Sequence, residues 1–454
     1  MKKIIVLGAG ESGVGAALLA KSKNFDVFVS DASTIKPHYK AILEENSIPF
    51  EEEKHSENII LKAKEIVKSP GIPETTEIVQ KAHEKQIPVI SEIEFAARNT
   101  KAKLIAITGS NGKTTTTLLT YHLLKNAGFN VGLAGNVGES FAKKVIDNDF
   151  EYYVLEVSSF QLDGCFLFKP YISAILNITP DHLDRYENSF EKYAEAKFRI
   201  IRNQNENDFF IYNADSNIIE NKILRLKPTV QLLPISLKAD ESLRSMSKVS
   251  YYQEGKIVLR MPYNRPSQMT LQESDLALKG KHNIFNSMVA AQIAQILGVN
   301  QEKIKEGLAS FAGVPHRLEE VGEIRGVKFI NDSKATNIDS VKYALDSFPD
   351  EKKLIWIAGG VDKGNNYEEI KDLILKKVKH LIALGKDNEK ICNFFGKDIE
   401  ITEATEMTKA VKKAFRLAKK GDIVLLSPAC ASFDLFKNYE DRGNQFREAV
   451  KELK

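Results

Sequence analysis

Ile105-Ala106-Ile107-Thr108-Gly109-Ser110-Asn111-Gly112-Lys113-Thr114-Thr115 is the stretch whose reading decides the fold. The apolar run, the tight polar turn and the residues 114–124 read as buried strand, loop and helix. Such a turn aims backbone N–H groups at a phosphate, and the helix N-terminus adds partial positive charge. Lys113 would reach the outer phosphates of a nucleoside triphosphate, and the Thr114 hydroxyl would ligate Mg²⁺. The turn is one glycine short, because Ile107 stands where the usual phosphate loop has its first glycine. That departure points away from ordinary nucleotide hydrolases.

Working outward, the theme of strand, Gly or polar turn, and helix recurs in three segments, which argues for α/β layering in each. The first runs from Lys2 to about Asn99, with strands at 4–7, 26–30, 65–68 and 89–90. The second opens at Leu104 and continues through strands at 152–157 and 171–178. A more polar stretch, 208–279, alternates as at 256–261 and is expected to be antiparallel and peripheral; helices at 283–297 and 301–311 close the segment. The third begins near Pro315, with strands at 327–330, 354–358, 380–384 and 423–426, each ending in a polar or Gly-rich turn. Ligands of open parallel sheets bind beyond the carboxyl ends of the strands, so the second and third segments each present one functional edge.

The bulk composition narrows the class. A chain of 454 residues suggests about two to four domains. Lys plus Arg (64) nearly balance Asp plus Glu (61), leaving a net charge of +3 and no case for a nucleic-acid partner. Cys165, Cys392 and Cys430 share no paired spacing, which argues against a disulfide framework or a zinc site and for a reducing compartment. The apolar run 4–7 after Lys2-Lys3 is too short for a secretory leader, and no stretch approaches the ~20 apolar residues of a membrane span. A soluble, cytoplasmic protein is expected.

Individual residues carry the chemistry. Gly8-Ala9-Gly10-Glu11-Ser12-Gly13 matches the dinucleotide fingerprint, with Asp31 placed for a ribose hydroxyl. Alone it predicts an NAD site; with a second phosphate turn at Gly109, a diphosphate-bearing substrate such as a nucleotide sugar fits better. Ser69-Pro70-Gly71-Ile72-Pro73 would close over it, or is a plain loop. Glu156, at a strand end beside the phosphate turn, is where a Mg²⁺-binding acid belongs. His182, in Asn177-Ile178-Thr179-Pro180-Asp181-His182, would be a second ligand or charge stabiliser from the same edge. Lys197 shares a helix face with Phe190, Tyr193 and Ile200, in a helix expected to start with an Asn188/Glu191 capping box. A lysine there usually snorkels; the alternative is a buried amine with a lowered pKa. The residues alone favour the snorkel. His282-Asn283 opens a helix and would cap it or touch a base, and Arg317 would reach phosphate or form a salt bridge.

Thr108-Gly109-Ser110-Asn111-Gly112-Lys113-Thr114-Thr115 resembles the shortened ATP loop of the Mur ligases and their folylpolyglutamate synthase relatives. Gly135-Asn136-Val137-Gly138, Glu156, Asp181-His182, Ala196-Lys197, His282-Asn283 and His316-Arg317 follow in that family's order. Asn331-Asp332-Ser333-Lys334-Ala335-Thr336-Asn337, Ser427-Pro428-Ala429-Cys430-Ala431-Ser432-Phe433-Asp434 and Lys437-Asn438-Tyr439-Glu440-Asp441-Arg442-Gly443 resemble its D-glutamate-adding branch.

The resemblance implies an ATP-dependent ligase of peptidoglycan synthesis, taking UDP-N-acetylmuramoyl-L-alanine and D-glutamate. It implies three α/β domains: a Rossmann-like UDP-binding domain at 1–97, a mixed-sheet P-loop ATPase-type domain at 98–313 and a Rossmann-like amino-acid domain at 314–454. Gly10, Glu11, Ser12, Gly13, Asp31, Gly71 and Asn136 would bind the UDP substrate. Gly109, Ser110, Asn111, Gly112, Lys113, Thr114, Thr115, Asn283, Arg317 and Asp332 would bind ATP. Two Mg²⁺ ions would sit on Thr114, Glu156, His182 and a CO₂-derived carbamate of Lys197, which reverses the snorkel preference; Lys113, His182 and Lys197 would be catalytic. Thr336, Lys363, Ser432, Phe433 and Tyr439 would surround D-glutamate, Tyr439 and Phe433 standing where Phe and Leu are common. No nucleic-acid or membrane partner is implied, and a monomer is expected.

Overall fold

The computed structural model describes residues 2–147, 149–238, 240–241, 245–246, 248–261, 268–362 and 364–453. These form three sheets. The first joins β1 (Lys3–Leu7), β2 (Asp26–Ser30), β3 (Phe50–Glu51), β4 (Glu65–Lys68) and β5 (Val89–Ser91) in the order 3-2-1-4-5, every pair parallel. Helices cover both faces of such a sheet, so its strands read as apolar runs without alternation; in β1 all residues after Lys3 are buried.

The second sheet contains β6 (Lys103–Thr108), β7 (Val131–Gly135), β8 (Tyr152–Glu156), β9 (Ile172–Ile175), β10 (Phe209–Asn213), β11 (Gln231–Ser236), β12 (Ser250–Gln253), β13 (Lys256–Arg260) and β14 (Gln268–Gln272). Their order is 14-13-12-11-10-9-6-8-7. The expectation of an antiparallel, peripheral stretch after 208 holds only from β12 onward. β10 pairs in parallel with both β9 and β11, and Phe209, Phe210 and Ile211 are buried. The antiparallel part is the β12–β13–β14 meander at the edge.

The first two sheets belong to one compact unit, 1–277 with 284–311, and share a continuous apolar core that runs from Ile4 to Val230. Two buried carboxylates mark their seam. Glu94 is fully buried, accepts the amides of Phe166, Leu167 and Phe168, and pairs with Arg98 at 2.7 Å. Glu92 Oε1 accepts from Ser140 Oγ at 2.7 Å and from the Ala142 amide at 2.5 Å.

The second unit, 278–283 with 312–454, holds the third sheet: β15 (Glu319–Ile324), β16 (Val327–Asn331), β17 (Leu354–Gly359), β18 (Val378–Leu384), β19 (Glu400–Ala404) and β20 (Ile423–Ala429). The order is 15-16-20-17-18-19, parallel apart from the β15–β16 hairpin. Apolar cores lie on both of its faces, one around Trp356 and one around Phe446. Among the described residues no helix is long and apolar enough to cross a membrane.

Candidate active site

The phosphate turn follows β6, and the helix Lys113–Asn126 begins at once with Gly112 as its N-cap at φ +83°. A Cβ on Gly112 would meet Asn286 Oδ1 at 2.6 Å, so this position needs glycine for space as well as for handedness. Gly112→Ala is expected to cost about 1–2 kcal/mol from the left-handed backbone alone and to raise the KM for ATP. Denaturant unfolding and ATP titrations of initial rate check it; a stability change under ~0.5 kcal/mol would show the turn to be permissive.

The turn is zipped to the loop after β9. Ser110 N donates to Asn177 O at 3.1 Å, Asn111 N to Asn177 Oδ1 at 2.8 Å, and Asn177 Nδ2 returns a bond to Asn111 O at 3.0 Å. Ser110 Oγ donates to Thr179 O at 2.9 Å and accepts from Thr179 N at 3.0 Å. Two of the amides expected to face phosphate are therefore held by Asn177, and the helix start from Gly112 onward is what the turn offers an anion. The same zipper fixes the segment bearing His182. That residue adopts a left-handed backbone, lies 3.7 Å from Asp181 and packs edge-on to Phe160, in the short helix just after β8.

Two lysines converge on the turn. Lys113 Nζ donates to Gly109 O and Ser110 O, each at 2.8 Å, and Lys197 Nζ donates to the same Gly109 O at 2.9 Å. Lys197 does not snorkel. It is 1% exposed, with Nζ 4.5 Å from the centroid of the Tyr193 ring. Burial first, and the nearby Lys113 charge second, push its pKa well below the ordinary lysine value. Its helix, Phe190–Phe198, is capped by Ser189, whose hydroxyl accepts from Lys192 N. The expected Asn188 cap fails because Asn188 itself is left-handed, at φ +55°.

Glu156, at the end of β8, is 1% exposed. Its Oε1 accepts from Asn136 Nδ2 at 2.8 Å, while Oε2 is buried without a protein hydrogen-bond partner. An orphaned carboxylate oxygen beside a phosphate turn fits a hard divalent cation, which prefers oxygen ligands and keeps its phosphate and water partners. Among the described residues no group of three or more His, Cys, Asp or Glu side chains is placed to hold a metal ion.

The first glycine turn is equally tight. A Cβ on Gly13 would overlap Gly8 O at 1.8 Å, whereas Gly10 and Gly71 face open space. Glu11 and Ser12 open the helix Glu11–Ser22, and Asp31 closes the turn by accepting from Ala9 N at 2.7 Å. Arg185 reaches back to this region, with NH2 donating to Pro70 O at 3.3 Å.

In the second unit, Asp332 is buried and accepts from Ser427 Oγ at 2.8 Å; burial raises its pKa to about 7 against the pull of Ser427 and Arg317. Arg317 Nε is buried with no hydrogen-bond partner. The same guanidinium, after burial, helps hold the His282 ring uncharged, down to about 4, beside Asn283. Of the expected amino-acid residues, Thr336 follows β16, Ser432 and Phe433 follow β20, and Tyr439 opens the helix Tyr439–Lys451. Ser333 Oγ donates to Tyr439 O at 2.8 Å, and Arg442, which the sequence reading passed over, bonds both Ser333 O at 2.8 Å and Cys430 O at 3.1 Å. Ser432 is buried, Thr336 half-buried and Phe433 exposed. Lys363 lies outside the described residues.

Glu92 was also missed. Burial raises its pKa to about 7 from 4.5, against the bonds from Ala142 and Ser140. A carboxyl with a raised folded pKa takes up a proton on folding, so its contribution is complete below pH 4.5 and lost as pH rises through 7. Wild-type stability should fall across that window, and Glu92→Gln, which keeps both bonds on Oε1, should flatten the fall. Chemical denaturation at several pH values tests it; parallel profiles would refute the assignment.

Family models match the chain in three consecutive pieces: a Mur ligase MurD-like N-terminal domain over 2–91, a Mur ligase middle domain over 107–294, and a Mur ligase glutamate ligase domain over 316–430. The chain is 52% identical over 451 residues to the UDP-N-acetylmuramoylalanine–D-glutamate ligase of Porphyromonas gingivalis strain W83, covering 99% of this chain and 98% of the relative. It is 49% identical over 453 residues to the enzyme of that name from Christiangramia forsetii, covering all of both. Among solved structures it resembles MurC, the UDP-N-acetylmuramate-alanine ligase of Thermotoga maritima, with a TM-score of 0.60 at 18% identity and full coverage of both chains. MurF of the same organism, solved with ADP, gives 0.60 at 17% identity over 94% of this chain and 96% of that one.

Proposed function

The chain belongs to the Mur ligase family, and from that premise we propose that it joins D-glutamate to UDP-N-acetylmuramoyl-L-alanine, converting ATP to ADP and phosphate. The observation that carries this reading is identity of about half along the whole chain to relatives named for that reaction. It works in the cytoplasm as a monomer, on small-molecule substrates alone.

The division of labour follows 1–97, 98–313 and 314–454. UDP lies along the first glycine turn, with its pyrophosphate at the helix start near Gly10–Gly13, Asp31 at the ribose and Gly71 facing it. Asn136 touches the muramoyl part. Gly109–Thr115 take the triphosphate, Asn283 the adenine, and Arg317 with Asp332 the ribose and phosphates. Thr336, Lys363, Ser432, Phe433 and Tyr439 surround D-glutamate.

A carboxylate is a poor acceptor for an amine because hydroxide is a poor leaving group. The alanyl carboxylate therefore first attacks the γ-phosphate, giving an acyl phosphate and ADP. The amine of D-glutamate then adds to that carbonyl, and the tetrahedral intermediate expels phosphate to leave an amide. Phosphoryl transfer needs little covalent help from protein, so positioning and charge dominate. Lys113 neutralises the transferred phosphoryl group, and the Asn177 zipper holds the turn still beneath it. Glu156, Thr114 and His182 would hold Mg²⁺, which would supply further positive charge at the phosphate oxygens. The buried amine of Lys197, its pKa pushed down by burial, is suited to capture CO₂ as a carbamate, a carboxylate-like ligand for a second Mg²⁺.

The test is incubation with UDP-N-acetylmuramoyl-L-alanine, ATP and one amino acid at a time, followed by product mass. A product with D-glutamate alone is expected; ATP turnover indifferent to D-glutamate would refute the reading.

A further inference from the structure

The segment from Gly135 to Ser140 touches both ligand regions of the first unit. At one end the Asn136 amide donates to Glu156 O at 2.8 Å and the Asn136 side chain to Glu156 Oε1 at 2.8 Å. A Cβ on Gly135 would meet Glu156 O at 2.4 Å, so the two backbones are in direct contact. At the other end Ser140 is buried at the seam between the sheets. Its amide donates to Glu11 Oε1 at 3.3 Å and its hydroxyl to Glu92 Oε1 at 2.7 Å. It also lies so close to the helix Glu11–Ser22 that a Cβ on Gly15 would meet Ser140 Oγ at 2.0 Å. The segment is closed on itself by Gly135 N donating to Glu139 O at 3.3 Å.

We propose that this segment couples the two ligand sites, with Glu92 and Ser140 as its positioning residues. Glu11 is the first residue of the helix whose N-terminus receives the diphosphate, so an anion there bears directly on the Glu11–Ser140 contact. A shift of Ser140 is passed toward Asn136 through the turn between them, which the Gly135 N to Glu139 O bond closes. Asn136 in turn holds Oε1 of Glu156, whose Oε2 is buried without a hydrogen-bond partner and is the oxygen the functional reading gives to the metal. Occupation of the first site thus orders the metal acid of the second, and linkage makes the effect reciprocal. The inference rests on the functional reading above and adds to it a binding synergy that no contact between the ligands is needed to explain.

Calorimetric titration of the full-length protein with Mg·ADP, alone and with saturating UDP-N-acetylmuramoyl-L-alanine, reads the coupling. Wild-type affinity for Mg·ADP should rise about fivefold or more in the presence of the sugar nucleotide. Ser140→Ala and Glu92→Ala should reduce that ratio to below about twofold while each ligand alone binds within about threefold of wild type. Glu92→Gln should keep the coupling, since both of its bonds end on Oε1. A wild-type ratio near one, or a ratio that survives in Ser140→Ala, overturns the proposal even if both ligands bind. Failure of the sugar nucleotide to bind wild type at all would instead overturn the functional reading, and the coupling with it.

Discussion

Lys113→Ala is expected to lower kcat about 10³-fold while the affinity for UDP-N-acetylmuramoyl-L-alanine stays within about twofold of wild type. The ammonium donates to two carbonyls of its own turn, Gly109 O and Ser110 O. Those are neutral acceptors. A phosphate oxygen is charged and adds charge–charge attraction that a carbonyl lacks, so the lysine has a partner to move to when nucleotide arrives. Its value is greatest where charge develops during phosphoryl transfer, which places the loss in kcat rather than in ground-state binding. The fold should tolerate the change, because the half-buried Lys113 contributes two ordinary side-chain bonds to the turn and the Asn177 zipper remains. Lys113→Arg should recover little, since a planar fork does not replace a compact point charge at a tight turn. Steady-state rates at saturating substrates with parallel calorimetry decide it. Activity within tenfold of wild type would remove Lys113 from the chemistry, and loss of sugar-nucleotide binding would show that the turn serves the first site as well.

The local signals in the sequence were reliable where one short motif fixed one short structure. The phosphate turn is such a case: residue order alone predicts a strand, a tight polar turn and a helix. β10 and β11 misled because their flanks are polar and Pro234 interrupts a run that nonetheless pairs in parallel. Parallel pairing is a property of the ladder partners β9 and β12, which no window of local sequence contains. The helix that carries Lys197 was expected to start from Asn188, and the left-handed backbone there moves the cap to Ser189. Glu92 and Ser140 stand 48 residues apart, and Arg442 stands 109 residues from Ser333. Each was unremarkable in sequence because its role depends on a partner brought in by the fold. Lys197 is the sharpest instance, since composition favoured an exposed head group and packing against Tyr193 enforces a buried one.

That buried head group carries the second large prediction. Lys197→Met should lower kcat about 10³-fold yet leave a folded protein that is more stable at neutral pH than wild type measured without CO₂. The sign follows from linkage. The native amine has a pKa well below 10.5, so between the two values the unfolded chain binds the extra proton. Wild-type stability therefore rises with pH until the unfolded lysine itself deprotonates, and methionine removes that slope. A carbamate alters the balance in a way the methionine variant cannot copy. The deprotonated form that the lowered pKa favours adds to CO₂ through its lone pair and releases a proton, leaving a buried anion near the Lys113 charge. Anything that binds the native state alone stabilises it by mass action, so the wild-type melting temperature should climb with added bicarbonate and Mg²⁺ while that of Lys197→Met stays fixed. Activity should follow the same pattern: depletion of CO₂ slows wild type, bicarbonate restores it, and acetate or formate partly rescues Lys197→Ala by filling the vacated ligand position. Wild-type activity and stability both indifferent to CO₂, with no rescue by small carboxylates, would leave Lys197 as a buried hydrogen-bond donor to Gly109 O and nothing more.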